Sequence, residues 1–269
     1  FIATKVLINH GLTPQEIFFY RFLIAYIGIW AISPKHLFAD NLKDELWLVA
    51  GGVFGGSLYF FTENTALGIT QASNVAFIIC TAPLLTTILS LLFYKSEKAT
   101  KGLIYGSLLA LIGVGLVVFN GSVVLKLSPV GDLLTLLAAL SWAFYSLVIK
   151  RMTGRYPTVF ITRKIFFYGV LTILPAFLLH PLQPDFDVLL QPLVLSNLLF
   201  LAVLASLICY ILWNVVLKQL GTMRASNYIY LNPLVTMVAS VLILHEQITW
   251  ITLMGAACII LGVYLAEKK

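Results

Sequence analysis

The sequence predicts an all-α membrane protein with ten transmembrane helices, the first of them truncated here, arranged as two inverted five-helix repeats. Three observations predict this fold class: an apolar composition, a series of long apolar runs, and a second half that repeats the pattern of the first. Of the 269 residues, 60% are hydrophobic and 10% are charged, with a mean hydropathy of +0.98. About a quarter of the residues are charged in a soluble domain. The composition therefore indicates a protein of the lipid bilayer.

Nine apolar runs have about the 20 residues that are needed to cross roughly 30 Å of hydrocarbon. The runs are continuously apolar and lack the period-2 alternation of barrel strands, so each predicts a helix. Residues 1–9 are apolar but too short to cross, and we expect them to be the end of a tenth helix that begins upstream. The nine complete runs are 16–33, 45–67, 70–94, 102–120, 130–149, 158–179, 195–217, 223–244 and 250–266.

Lysine and arginine are concentrated in alternate connections between these runs. One set of connections contains only Lys126, and the other set contains most of the basic residues. The positive-inside rule assigns the basic set to the cytoplasm. We therefore expect a multi-pass protein of the cell (inner) membrane with cytoplasmic N and C termini, and the net charge of +6 requires no nucleic-acid partner. The basic set comprises Lys35, Lys43, Lys95, Lys98, Lys101, Lys150, Arg151, Arg155, Lys218, Arg224, Lys268 and Lys269.

The sequence contains no pattern that points to catalysis or to a cofactor. Cys80, Cys209 and Cys258 lie in separate apolar runs, and the four histidines are scattered, so neither a disulfide framework nor a metal site is predicted. A P-loop and a nucleophile elbow are also missing from the sequence. We therefore expect no cofactor and no enzymatic activity.

The second half of the chain repeats the first. The stretch that begins "PLLTTILSLLFY" corresponds to the one that begins "PLVTMVASVLIL", so that Pro83 matches Pro233. Each repeat contains five helices, and an odd number of spans forces the two copies into opposite orientations. Inverted repeats of this kind are typical of secondary transporters, whose substrate site lies between the halves. The predicted repeats are residues 1–121 and 129–269.

Several features of the doubled pattern together resemble the EamA-type branch of the drug/metabolite transporter superfamily. These features are Trp142 eight residues before Lys150, a Pro-Leu pair midway along a helix, and a seven-spaced glycine pair in the following helix. The resemblance extends over essentially the whole chain. It implies ten helices, cytoplasmic termini, and a central cavity lined by the first, third, fourth, sixth, eighth and ninth helices.

Two glycine pairs occupy equivalent places in the two repeats. Gly106 and Gly113 lie two turns apart on one helix, as do Gly255 and Gly262. Small residues on one face let helix backbones approach closely in lipid. We therefore expect these four glycines to pack the fifth helix against the tenth.

Polar and aromatic residues recur at helical spacing on the segments that the resemblance assigns to the cavity. Buried polar groups in a membrane need a partner or a water-lined space, although tyrosine and tryptophan are also common at the membrane interface. The predicted cavity residues are Lys5, Tyr59, Glu63, Asn64, Asn74, Phe77, Thr81, Trp142, Tyr145, Tyr210, Trp213, Asn214, Asn227, Tyr230 and Asn232.

Glu63, in the stretch "YFFTENTALG", is a carboxylate inside an apolar run. Lys5 and Arg21 fall at nearly the same depth, so we expect Glu63 to pair with one of them. Three roles are open: a structural ion pair, a carboxylate that exchanges a proton or binds a substrate amine, or a side chain that extends to the interface.

The hypothesis that combines these observations is a secondary transporter. It would export small metabolites (amino acids, aromatic compounds or drugs) by alternating access through the central cavity. Its expected partners are the small-molecule substrate and the lipid bilayer, with a proton gradient as a candidate driving force and a monomer as one option for its oligomeric state. The alternatives are a channel or a uniporter-like facilitator without ion coupling, followed by an intramembrane enzyme.

Overall fold

The computed structural model describes residues 2–33, 37–94, 98–119, 128–178, 181–182, 184–235, 237–238 and 249–268. Regular structure in this part of the chain is entirely helical. Helices satisfy their backbone hydrogen bonds internally, as hydrocarbon requires. Seven stretches are long and apolar enough to cross a membrane: Pro14–Ile32, Ala72–Phe93, Lys101–Phe119, Pro129–Thr153, Thr158–Leu178, Pro192–Leu220 and Trp250–Glu267.

The first two helices form a tight hairpin. Helix α1 spans Ile2–Asn9 and α2 spans Pro14–Ile32. Gly11 between them has φ +94°, in the left-handed region that favours glycine. Thr13 caps α2 through a capping box with Glu16, so the backbone N–H groups of Thr13 and Glu16 both have side-chain acceptors.

Two long helical stretches have the same three-part construction, one in each half of the chain. In the first half, α3 (Leu42–Gly52) continues through a π-helical segment, Val53–Ser57, into α4 (Leu58–Ile69). In the second half, α11 (Pro192–Leu199) continues through a π-helical segment, Phe200–Ile208, into α12 (Cys209–Leu220). π-Helical segments are rare and are frequently found at functional sites.

The stretches that follow are interrupted in mid-course. Helix α5 (Ala72–Ile79) is separated from α6 (Ala82–Phe93) at Cys80 and Thr81. Helix α13 (Thr222–Asn227) passes into a 3-10 turn, Tyr228–Leu231. Each interruption lies shortly before a proline, Pro83 or Pro233, because proline has no N–H to continue the hydrogen-bond ladder.

The remaining helices complete the bundle. They are α7 (Lys101–Phe119), α8 (Pro129–Thr153), α9 (Thr158–Ile173, ending in a 3-10 turn at Leu174–Leu178), α10 (Phe186–Leu189) and α14 (Trp250–Glu267). Helix α8 is central and contacts α3, α4, α5, α6 and α12. Its Tyr145 is among the largest fully buried side chains.

Helices α7 and α14 pack against each other through glycines. A Cβ atom added at Gly113 would lie 2.6 Å from the carbonyl oxygen of Gly255, and one added at Gly262 would lie 2.5 Å from that of Gly106. The lower-numbered glycine of one helix faces the higher-numbered glycine of the other, so the two helices run antiparallel. Contact this close requires residues without side chains.

Seven of the nine apolar runs correspond to the seven candidate spans. The run 45–67 corresponds to α3, the π segment and α4, whose segments of 11, 5 and 12 residues form one continuous stretch. The run 223–244 extends into residues outside the described part of the chain. Lys126 and the predicted boundary at residue 121 also lie outside it. The short run 1–9 corresponds to α1.

Candidate functional site

A cavity of about 280 Å³ lies between elements of the two halves of the chain. The first half contributes α1, α2 and α4, and the second half contributes α8, the segment Phe200–Ile208 and α12. The lining residues are Thr4, Arg21, Tyr59, Phe60, Glu63, Trp142, Leu201, Ala205, Cys209, Tyr210 and Trp213. We refer to this space as the aromatic cavity.

Trp142 is at the centre of the aromatic wall. Its ring centroid lies 5.0 Å from that of Tyr59, 5.8 Å from that of Tyr210 and 5.9 Å from that of Trp213. These separations are typical of favourable aromatic pairs. The indole nitrogens of Trp142 and Trp213 are buried, and neither has a hydrogen-bond partner among the described residues. The rings of these residues, rather than their enclosed nitrogens, therefore form the wall of the cavity.

Two opposite charges belong to the same cavity. The Nε of Arg21 donates to Ser206 Oγ at 2.9 Å, and its guanidinium carbon lies 4.1 Å from the ring centroid of Phe60. The Oε1 of Glu63 accepts a hydrogen bond of 2.6 Å from Tyr59. Both charged residues are buried. Intramembrane charges are expensive and usually mark a substrate or ion pathway.

Hydrogen-bonded aromatic residues close the floor of the cavity. Tyr210 donates to the carbonyl oxygen of Gly55, and Tyr145 donates to Asn214 Oδ1 at 2.7 Å. Asn214 in turn donates to Thr162 Oγ1 at 2.9 Å. Gly55 belongs to the π segment Val53–Ser57, and a Cβ atom there would overlap the ring of Tyr145. The contacts of Gly55 with Tyr210 and Tyr145 therefore join the two halves at the floor.

Five of the fifteen predicted cavity residues line the aromatic cavity: Tyr59, Glu63, Trp142, Tyr210 and Trp213. Three others lie beside it. Tyr145 and Asn214 belong to the floor, and Asn64 is buried against the start of α2, where its Nδ2 lies 3.3 Å from the carbonyl oxygen of Pro14.

Six predicted residues on the interrupted stretches are not among the lining residues in this structure. The ring of Phe77 packs against that of Phe119, and Tyr230 packs in a cluster with residues of α7 and α14. Asn227 accepts a hydrogen bond from Ser107. These side chains face α7 and α14, because those two helices cover the interrupted stretches. Thr81 bonds to the Ile78 carbonyl, Asn74 is buried, and Asn232 is exposed.

Lys5 does not form the expected ion pair with Glu63. Its Nζ donates to the carbonyl oxygen of Leu67 at 2.5 Å, near the end of α4. This carbonyl belongs to the last turn of α4, where carbonyl groups have no partner within the helix. Among the described residues, no ion pair joins Glu63 to Lys5 or Arg21 within 4.0 Å.

Arg21 is the most informative lining residue that the sequence prediction omitted. A single arginine within the apolar stretch "EIFFYRFLIAY" was the available signal, and it had suggested a partner for Glu63 rather than a cavity residue. Phe60, Cys209, Leu201, Ala205 and Thr4 also line the cavity and carry no signal that distinguishes them from other apolar or small residues.

A second group of charges lies at the opposite end of the α3–α4 stretch. Asp44 pairs with Arg155 at 2.8 Å, and Glu45 pairs with Lys164. Both acids belong to the first half and both bases to the second. Glu45 and Glu63 are 18 residues apart, roughly 27 Å along a helix, which is nearly the thickness of the hydrocarbon core. We call these four residues the ion-pair cluster.

Asp44 precedes the apolar run and is ionised at neutral pH. Its burial acts to raise the pKa, but hydrogen bonds from Arg155, Asn41 and Tyr156 outweigh that effect and hold the pKa below its usual value. The pKa of Tyr156 is raised, by burial and by the adjacent Asp44. Asp44 therefore carries its negative charge throughout the physiological pH range.

No group of three or more metal-ligating side chains occurs among the described residues. The geometry instead combines a cavity between two halves with a contact that joins those halves at the far end. Such a site is suited to binding a small molecule non-covalently.

Comparison with known proteins agrees with this interpretation. The model of the EamA-like transporter family matches residues 1–119 and 129–267. An uncharacterized transporter of Archaeoglobus fulgidus is 28% identical over 273 residues, covering 100% of this chain and 92% of the relative. A probable amino-acid metabolite efflux pump of Salmonella typhimurium is 27% identical, covering 98% of this chain and 89% of the relative.

A solved crystal structure has the same fold at 17% identity, with a TM-score of 0.75 over 99% of this chain and 93% of the other. The relatives are named transporters, and the family is one of transporters rather than enzymes. The family match extends over nearly the whole length. The chain therefore belongs to the EamA-like transporter family.

Proposed function

We propose that the protein is a secondary transporter that exports amino-acid metabolites by alternating access. The observation that carries the proposal is the asymmetry between the two ends of the bundle. The aromatic cavity lies between the halves near one end, whereas the ion-pair cluster joins the halves at the other. This is the arrangement expected of a carrier that is closed on one side. The amino-acid character of the substrate is inferred from two relatives that are named probable amino-acid metabolite efflux pumps, one from Salmonella typhimurium and one from Escherichia coli.

The proposed architecture is ten transmembrane helices in two inverted repeats, residues 1–121 and 129–269. Three similarities support it. The π segments Val53–Ser57 and Phe200–Ile208 precede Tyr59 and Tyr210, which occupy equivalent places in the two halves. The interruptions before Pro83 and Pro233 also correspond, and α7 and α14 are antiparallel.

The proposed orientation has both termini in the cytoplasm of a multi-pass inner-membrane protein. The basic connections support it through the positive-inside rule. In this orientation the ion-pair cluster is cytoplasmic and the aromatic cavity is near the outer surface. The described conformation is then one that is closed toward the cytoplasm.

Cysteine labelling tests this orientation. Lys98→Cys and Gly154→Cys should react with a membrane-impermeant maleimide only after cells are opened, whereas Asp187→Cys should react in intact cells. All three positions are exposed, and the background protein has Cys80, Cys209 and Cys258 replaced by alanine. Reaction at position 98 or 154 in intact cells would reverse the orientation.

Transport by purified protein in proteoliposomes tests the function. With the lumen more acidic than the outside, the wild type should accumulate radiolabelled phenylalanine inside the vesicles above its external concentration. A protonophore should abolish this accumulation. Phenylalanine is chosen because the cavity is aromatic. We propose that the Glu63 carboxylate exchanges the proton or binds the substrate amine. If it exchanges the proton, Glu63→Gln should bind phenylalanine but accumulate it only to the external concentration.

The alternatives predict different outcomes in the same assay. A channel or a uniporter-like facilitator would equilibrate phenylalanine and never exceed the external concentration, with or without a pH gradient. If Glu63 binds the amine, Glu63→Gln should weaken binding itself. Accumulation of no amino acid from a panel that includes leucine and cysteine would contradict the proposed function.

A further inference from the structure

We infer that Arg21 anchors the carboxylate of the transported molecule, so that the aromatic cavity accepts carboxylate-bearing substrates and rejects the matching amines. This inference rests on the proposed function and adds the chemical class of the substrate. Its starting point is the group of contacts around Arg21, which use only part of the guanidinium.

Arg21 has no carboxylate partner among the described residues. Its side chain is buried, with a residue exposure of 4%. The Nε group is used in the hydrogen bond to Ser206, and one face of the guanidinium lies over Phe60. No hydrogen bond joins either Nη group to another described residue, and Arg21 lines the cavity. Part of the planar donor fork is therefore available to a ligand.

A buried cation without a bonded anion is costly in a membrane protein. Glu63 is the acidic residue of the cavity wall, and it attracts Arg21 electrostatically. The hydrogen bond that Glu63 accepts, however, comes from Tyr59 and not from Arg21. The fixed position of Arg21 between Ser206 and Phe60 means that little side-chain entropy is lost when an anion binds. A guanidinium matches the two oxygens of a carboxylate better than an ammonium does.

The other lining residues suit the rest of an amino acid. Trp142 and Trp213 line the same cavity as Arg21, and their rings supply an apolar surface. The wall thus combines a cation and aromatic rings with one carboxylate, Glu63. An α-amino acid fits this set, with its carboxylate at Arg21, its ammonium near Glu63 and its side chain against the aromatic rings.

Binding of three matched probes to the purified full chain tests the inference. The probes are phenylalanine, phenethylamine, which lacks the carboxylate, and 3-phenylpropionate, which lacks the ammonium. Isothermal titration calorimetry would give each affinity. The wild type should bind phenylalanine about 10- to 100-fold more tightly than phenethylamine, because hydrogen bonds to charged groups contribute about 1.5–3 kcal/mol.

Substitution of Arg21 should remove this discrimination. In Arg21→Gln, phenylalanine should lose affinity by that factor, 3-phenylpropionate should bind poorly, and phenethylamine should bind as in the wild type. The ratio of two affinities within one preparation does not depend on the fraction of folded protein. The matched control is Arg163→Gln, which removes another buried arginine that does not line the cavity and should leave the ratio unchanged.

Three results would overturn the inference. Equal affinity of the wild type for phenylalanine and phenethylamine would show that the carboxylate is not recognised. If Arg21→Gln lost affinity for phenylalanine and for phenethylamine by the same factor, Arg21 would have a structural role only. Binding of none of the three probes would also overturn it, and if the wild type nevertheless accumulated another amino acid in proteoliposomes, the proposed function would remain.

Discussion

A chemical bridge between positions 44 and 155 is expected to abolish transport. Asp44→Cys and Arg155→Cys would be combined in a protein without Cys80, Cys209 and Cys258, and joined by a short bifunctional methanethiosulfonate. Transport of phenylalanine in proteoliposomes should fall to background and return after the bridge is reduced. This is the largest effect on activity that we predict.

The reason is the position of the ion-pair cluster. The ion pairs between side chains of the described residues are Asp44–Arg155 and Glu45–Lys164, and both join the first half to the second. Lys164 and Asp44 are buried at this contact. In the proposed alternating-access cycle and orientation, the halves separate here so that substrate passes between the cavity and the cytoplasm. Reversible ion pairs allow that separation, whereas a covalent bridge prevents it.

The controls separate locking from chemical damage. Each single-cysteine variant treated with the same reagent should keep transporting. Asn41→Cys combined with Asp44→Cys places both thiols in the first half, three residues apart, so bridging them should leave transport intact. Normal transport by the bridged 44–155 pair would mean that the halves do not separate at the ion-pair cluster.

The all-helical character and the membrane spans were accessible from sequence because membrane solvation constrains each span separately. Seven apolar runs correspond to candidate spans, and the run 45–67 corresponds to the α3–α4 stretch. The π segments Val53–Ser57 and Phe200–Ile208 could not be predicted in this way. A π segment has an extra residue per turn compared with an α-helix. Its formation depends on tertiary contacts, such as the close approach of Gly55 to Tyr145, and these contacts leave no periodic signal in the sequence.

The candidate site was predicted only in part. Tyr59, Glu63 and Tyr210 were found because they recur at helical spacing or in equivalent places of the two halves. Phe77 and Tyr230 pack toward α7 and α14 in this structure, which the sequence does not indicate, because a helix that is apolar on all sides gives no sign of which face meets its neighbours. The ion-pair cluster was missed, since Arg155 had been interpreted only as a marker of orientation.

Alanine substitution of the packing glycines is expected to give the largest loss of stability. In α7, a Cβ at position 113 would lie 2.6 Å from the Gly255 oxygen, and in α14 one at position 262 would lie 2.5 Å from the Gly106 oxygen. Both neighbours are backbone atoms of a helix, which cannot rotate away. We therefore expect Gly113→Ala and Gly262→Ala each to destabilise the protein by about 1–3 kcal/mol, the usual cost of overpacking.

The matched control is Gly68→Ala, for which no loss of stability is expected. Gly68 is also helical and exposed, and a Cβ there would meet nothing within 4 Å. Alanine is favoured over glycine within a helix by about 0.5–1 kcal/mol, so Gly68→Ala should leave stability unchanged or raise it slightly. Denaturant titration in detergent would measure all three variants. Equal stability of Gly113→Ala, Gly262→Ala and Gly68→Ala would contradict close packing, because only the first two force the α7 and α14 backbones apart.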